Sequence, residues 1–324
     1  MRACGMSFFG KKIYIDDCLG LCNRLETLVL ARAIRRSFGH EIVLGWPELD
    51  VLRIEGTCRG NPGLWGRCGA VRMRSCSPEL FQGLAARQRI ILRGFGGPEE
   101  QMAAVYEEAA SGLGLCTPFA EGVAAALRNI GPRPLVGVHL RRGDFPLFSE
   151  EIYNLHQTPL SAVPLWWHEW VMRAIVRRQP RACFLVCHNG AADAVAKLRQ
   201  QFEVLEMPVS NPYKRQKGHQ SPRHPVADLF ALACCPVILA TPVSSFSHYA
   251  ANVLGAASTC LLPPPQMNRA APAVVRVRVH RRLLRHWVEA CLGPNAEVLR
   301  PTLEGIDFDQ TAQAHWLQTP QSVS

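Results

Sequence analysis

The stretch VGVHLRRGDF, Val136 to Phe145, drives an apolar run into a histidine, two adjacent arginines, a glycine and an aspartate. A guanidinium is a permanent cation whose planar fork of N–H donors matches two phosphate oxygens. Arg141 and Arg142 at the end of a buried strand therefore point to an anion. An Arg142–Asp144 surface turn is the simpler alternative. A second group, TPVSSFSHYAANVLG, sets Ser244 and Ser245 between a strand and a helix. Hydroxyls beside the free N–H groups of a first helical turn make a seat for an anion. The same serines can also cap the helix, and the two roles are compatible. Asp228, in HPVADLFAL, lies sixteen residues before Ser244. A carboxylate accepts two N–H donors from a guanine edge and disfavours adenine. Alone, it is equally an acidic residue favoured early in a helix. In GLCNRLE, Gly20 permits a close approach, and Asn23 and Arg24 would face across a cleft between domains. A helix cap and a solvated arginine are the alternative there.

These groups need a scaffold, and the chain alternates accordingly. KKIYIDD reads as a strand. NRLETLVLARAIRRSFG reads as a helix, with Asn23 as N-cap and Gly39 as the stop. HEIVLGW reads as the next strand, so the opening is β-α-β and implies a parallel sheet. Residues from about 50 to 90 read as irregular. QRIILRGF restores a strand, and two helices follow, over about Pro98–Leu113 and Pro118–Asn129. GPRP, Gly131 to Pro134, marks the domain boundary. From LVGVHL a second alternation runs to TCLLPPP, as in a doubly wound α/β domain. The division predicted is 1–130, 131–265 and a tail, 266–324, that packs back or stays partly disordered.

The chain has 324 residues, 48% of them hydrophobic, enough for two cores of ordinary size. Its formal net charge is +10, from 36 Lys and Arg against 26 Asp and Glu. That balance favours anionic partners. No nucleic-acid module is present, so nucleic acid ranks last among them. The 13 cysteines include no C-x-x-C pair, which excludes a zinc knuckle and fits reduced thiols. The N-terminus lacks a signal-peptide core. The longest apolar tract, Ala231–Val243, is broken by Pro236 and too short to span a bilayer. The expectation is a cytoplasmic protein. The basic run VVRVRVHRRLLRHW offers a peripheral contact with the inner face of a membrane. WWHEW, Trp166 to Trp170, suits helix packing better than sugar stacking. His188–Asn189 ends another strand, with a structural histidine the better reading. NPYKRQKGHQSPRHP reads as a charged loop. Asp307–Phe308–Asp309 has the form of a metal-binding pair but sits in the tail, where a solvated turn explains it.

Taken together, Gly20–Leu25, His139–Asp144, Asp228 and Ser244–Phe246 resemble the motifs of the fucosyltransferase superfamily. That superfamily includes the α1,2-, α1,6- and protein O-fucosyltransferases. Cys22 stands where the family has a glycine. The resemblance implies a GT-B fold, two Rossmann-like domains facing a cleft, with GDP-fucose in the C-terminal domain and a carbohydrate acceptor. It implies that Arg141 holds the β-phosphate and stabilises the leaving group, and that His139 and Asp228 address guanine. Ser244, Ser245 and Phe246 would line the diphosphate and base pocket. Arg142 and Asp144 would brace the loop, while Gly20, Asn23 and Arg24 close the donor site from the other domain. Glu26, Asp17 and Asp144 are the carboxylates nearest these motifs, and Glu26 is carried forward as a catalytic candidate. Fixed cations would replace a divalent metal, so neither metal nor cofactor is expected beside the GDP-sugar donor.

Overall fold

A computed structural model describes residues 10–16, 18–213, 222–255, 258–277, 279, 281–292 and 306. The chain divides into two compact units, the first ending at Thr117 and the second beginning at Pro118. The division predicted from GPRP falls one helix later.

The first unit carries β1 (Lys12–Ile15), α1 (Leu21–Phe38), β2 (Glu41–Leu44), β3 (Leu52–Ile54), β4 (Thr57–Arg59) and α2 (Leu64–Arg67). It continues through β5 (Val71–Ser75), α3 (Pro78–Gly83), β6 (Arg89–Gly96), α4 (Glu99–Ser111) and β7 (Leu113–Leu115). Five strands form a parallel sheet in the order β4-β2-β1-β6-β5. β3 and β7 make a separate antiparallel pair. The helix predicted after the first strand is α1, but it begins at Leu21, with Gly20 as N-cap rather than Asn23. Burial of Leu21 and Cys22 fixes that start, and no side chain caps it. Gly39 ends the helix as expected. Its φ of 74° is a left-handed conformation that glycine adopts without a Cβ clash, and its N–H donates to Arg35 O. α1 packs on α4, where Arg32 Nη1 meets Glu108 Oε1 at 2.7 Å.

The second unit takes α5 (Thr117–Arg128) from Pro118 onward. It then runs β8 (Leu135–Arg141), β9 (Ile152–Asn154), α6 (Leu165–Arg178), β10 (Cys183–Asn189), α7 (Ala192–Arg199) and β11 (Val204–Leu205). It continues through α8 (Pro225–Leu232), β12 (Val237–Leu239), α9 (Ser245–His248), a π-helical extension (Tyr249–Leu254) and β13 (Thr259–Leu262). β14 (Gln266–Asn268), β15 (Val275–Val277) and α10 (Leu284–Leu292) follow. The sheet order is β11-β10-β8-β12-β13-β15, parallel except for β15. The chain winds outward from β8 through β10 to β11, then returns to lay β12 and β13 on the other side of β8. This is the doubly wound order expected of the second alternation.

β8 is buried on both faces, so it reads as a continuous apolar run. Val136, Val138 and Leu140 pack into the core with Trp167, Val171 and Met172 of α6. Gly137 and His139 point to the opposite face. A methyl on Gly137 would sit 2.4 Å from Leu232 Cδ1, so the missing side chain lets α8 lie close to the sheet. The described part of the tail is ordered. β15 pairs with β13, and α10 buries Leu284, Trp287 and Cys291. β14 pairs with β9.

Candidate active site

The order of the second sheet reverses between β8 and β12. In doubly wound folds the crevice outside the strands' carboxyl ends at that point receives ligands. Arg141 is the last residue of β8. Its Nε and Nη2 donate to Asp144 Oδ1 and Oδ2 at 2.9 and 2.5 Å. Its Nη1 donates to Ser244 Oγ at 3.2 Å. The guanidinium lies over the Phe145 ring, 4.3 Å from the centroid, and the side chain is 22% exposed. A guanidinium has five N–H groups. Three are engaged, and the two outer ones remain for a ligand. The Arg141 hydrogen bonds hold the half-buried Asp144 carboxyl below its usual range. Asp144 therefore braces the cation.

The turn after β12 closes the other side. Thr241 Oγ1 donates to the carbonyl of His139 at 2.8 Å, and Thr241 N donates to Ser247 Oγ at 3.0 Å. Ser247 Oγ also meets His139 Nδ1 at 2.8 Å. Phe246 lies tilted on the His139 ring at 4.9 Å. Burial, with the Arg141 charge second, pushes the His139 imidazole down to about 3, so it is neutral at physiological pH. Ser244 is the N-cap of α9, yet its hydroxyl makes no capping bond and accepts from Arg141 instead. Ser245 is buried in the first turn. Val243, just before it, has a φ of 60°. A β-branched residue there is strained, and such strain concentrates at functional sites.

Asp228 is buried in the first turn of α8, on the same face of the sheet. Cys187 Sγ contacts its backbone carbonyl at 3.5 Å, and Cys187 pairs with His139 in the β8–β10 register. Its Oδ1 is buried with no hydrogen-bond partner among the described residues. Burial raises its pKa well above that of an ordinary aspartate, with Glu206 adding repulsion. An acceptor atom kept dry and unpaired is suited to a ligand's N–H donor. Asn189 offers a second. It pairs with Arg141 in register, and its Nδ2 donates to Asp144 Oδ1 at 3.3 Å. A carboxylate accepts only, which fixes the amide's orientation. Oδ1 of Asn189 is left buried and unpartnered. Sequence reasoning touched Asn189 only as a strand end, and missed Ser247 and Thr241. The clue was present, since SSFS places a third hydroxyl two residues beyond Ser245.

Five predicted positions stand away from the Arg141 cluster or serve only to brace it. Arg142 does not join Arg141. It follows the last residue of β8 and lies near His168 of α6, whose pKa burial lowers and the Arg142 charge lowers further. Its backbone N–H donates to Asn189 O at 2.8 Å, so its part is to brace the loop. Arg24 is 1% exposed and bonded within the first unit. Its Nη1 and Nη2 meet Glu48 Oε2 and Oε1 at 3.0 and 2.5 Å, and its Nε donates to Leu19 O. The guanidinium also lies over Trp46, 4.8 Å from the ring. It holds the loop after β1, and its burial keeps its remaining N–H groups away from solvent. Glu26 is likewise 1% exposed, facing Tyr106 Oη at 3.4 Å. A carboxylate sealed between α1 and α4 cannot reach a substrate hydroxyl. Asn23 is partly buried in the first turn of α1 and lends its backbone carbonyl to Thr27 Oγ1. As part of the helix body it is not the cap. Gly20 is exposed, and a Cβ there would meet nothing within 4 Å. Its freedom is not demanded by packing.

The remaining motifs settle as packing. Trp166 and Trp167 donate their indole N–H groups to the carbonyls of Glu150 and Ala273. His188 Nε2 faces Glu206 Oε1 at 3.3 Å. Asp17, Asp307, Asp309 and most of the charged loop after Tyr213 lie outside the described residues. Among the described residues no cluster of His, Cys, Asp and Glu is arranged to hold a metal ion. No helix among them is long and apolar enough to cross a membrane.

The fold is similar to that of solved fucosyltransferases. Arabidopsis thaliana FUT1, solved in complex with GDP, aligns over 81% of this chain and 72% of its own, with a TM-score of 0.51 and 9% identity. The fucosyltransferase NodZ from Bradyrhizobium aligns over 82% of this chain and 99% of its own, with a TM-score of 0.48 and 14% identity. POFUT1 in complex with GDP-fucose covers 75% and 93%, with a TM-score of 0.43 and 12% identity. No protein-family model and no curated protein matches the chain by sequence.

Proposed function

We propose that the chain is a fucosyltransferase, transferring fucose from GDP-fucose to a hydroxyl of a glycan or glycoconjugate with inversion and without a divalent metal. The observation that carries this reading is the Arg141 guanidinium at the sheet's switch point, gripped by Asp144 and tied to Ser244 with two N–H groups to spare. The fold likeness to a fucosyltransferase solved with GDP supports it.

The chemistry follows from the residues. Breaking the sugar–phosphate bond places extra negative charge on the departing diphosphate. Arg141 is already oriented, so it stabilises that charge without reorganising. The hydroxyls of Ser244 and Ser245 add donors beside it. Asp228 Oδ1 and Asn189 Oδ1 accept from the nucleoside, and Phe246 stacked on His139 gives the base an apolar wall. With Glu26 sealed in the first unit, no protein base is assigned. That same fact favours a second reading, a nucleotide-binding protein of this fold that does not turn its ligand over.

The test is incubation with GDP-fucose and a panel of oligosaccharide acceptors, read by mass, alongside competition binding with GDP, UDP and ADP. Arg141→Ala should lower transfer by about a hundredfold to a thousandfold, the usual cost of one preorganised donor. Full activity in that variant removes the donor-site assignment. Tight GDP binding without turnover selects the second reading. Turnover only with another GDP-sugar changes the donor and keeps the site.

A further inference from the structure

Two non-glycine residues among those described have positive φ, Val243 at 60° and Arg281 at 46°. They are far apart in sequence, and each lies where the tail meets the segment that follows β12. The Val243 backbone hydrogen-bonds the Cys291 sulfur of α10. Arg281 N–H donates to Asn252 O at 2.7 Å in the π-helical extension. Asn252 Nδ2 in turn lies 3.4 Å from His248 Nδ1. Trp287, fully buried on α10, sets its ring 6.2 Å from that of His248. The backbone of Arg282 also engages His248. His248 N–H donates to Ser244 O at 3.1 Å. Two routes therefore run from the tail to Ser244. One passes from Cys291 through Val243, and the other from Trp287 and Arg282 through His248.

Strained backbone persists only where its surroundings over-determine it. Relaxed, the Val243 turn would carry the Ser244 hydroxyl away from Arg141 Nη1. We propose that the segment from Arg281 to Cys291 is a clamp that holds the ligand-facing geometry of Ser244 and Ser245, with Cys291 and Trp287 as positioning residues. The inference rests on the reading of Arg141 and Ser244 as a diphosphate site. It gives the tail a purpose that neither its basic charge nor its sequence pattern suggested.

The experiment uses the full chain. GDP affinity is measured by calorimetry, and amide hydrogen exchange over residues 241–248 is measured without ligand. Cys291→Ala should weaken GDP binding about tenfold and raise exchange over 241–248, while β8 and β10 stay protected. Trp287→Leu, a second variant that keeps an apolar side chain, should act in the same direction. In a Val243→Gly background, where positive φ is free of strain, Cys291→Ala should cost less than about twofold. A merely structural cysteine would show no such rescue. Unchanged exchange in the folded variants overturns the clamp, and so does raised exchange with unaltered GDP affinity. Should the unmodified chain bind no GDP, the diphosphate reading fails, and hydrogen exchange alone decides whether the clamp exists.

Discussion

Arg24 and Arg141 make the instructive pair. Each follows the central strand of a parallel sheet, and each belongs to a motif with the family's spacing. Arg24 spends its donors on Glu48 and Leu19 and is 1% exposed. Arg141 makes as many bonds, a bidentate grip on a half-exposed aspartate and one to a serine, but its side chain is 22% exposed, so its two spare N–H groups are not sealed in. The same side chain is a buried structural pin in one unit and a partly exposed cation in the other. The difference lies in the carboxylate it meets. Glu48 is buried and closes the guanidinium off, whereas Asp144 sits at the rim and turns it outward.

Breaking the pin should have the largest effect. Arg24→Ala removes the guanidinium bonded to both oxygens of the buried Glu48, and thermal or denaturant unfolding should show a loss of about 3–5 kcal/mol. Arg141→Ala should leave the unfolding midpoint within about 0.5 kcal/mol of the parent. Equal destabilisation by the two would erase the contrast.

Asp228 sharpens the comparison, since it is buried like Glu48 but lacks a cation in contact. Its pKa is raised on folding, so its contribution to stability is present below the unfolded value and is lost as pH rises through the folded value. Asp228→Asn removes that loss. The variant should gain about 0.5–2 kcal/mol at alkaline pH, shrinking toward zero below the ordinary aspartate range, while its preference for GDP over ADP falls. Unfolding curves across pH, paired with nucleotide competition, measure both. His139 acts in the opposite sense. Burial lowers it, so the stability it supports is full above 6.5 and is lost as pH falls toward about 3. The smallest effect is expected from Asn189→Ala. It should weaken GDP binding by about threefold to tenfold, the worth of one hydrogen bond, with no change in unfolding. A larger loss would mean that Asn189 acts mainly by holding Asp144.

The doubly wound second unit was legible because its strands are short apolar runs punctuated by Pro and Gly, and its chemistry-bearing residues stand at strand ends. HLRRGD and SSFS could be placed on one crevice from order alone. Two things were hidden. In residues 50–90, arginine alternates with valine and methionine, which reads as irregular. Yet this stretch supplies β4 and β5, the two edges of the first sheet, where exposed Arg72 and Arg74 suit a strand with one free side. The partner of Arg24 was hidden too. Glu48 lies twenty-four residues away, across a strand and a turn, and no local spacing announces it. Burial of a charge depends on tertiary pairing, and the motif around Arg24 carries no record of that pairing.

Gly137 has no functional group and touches no proposed ligand, yet it governs how deep the nucleoside would sink. Leu232 rests in the space its missing methyl leaves, and Asp228 stands one turn earlier on the same helix. The floor of the crevice is thus levelled by an omission. A single added carbon there would lift the helix, and with it the Asp228 carboxylate, while changing no polar side chain of the site.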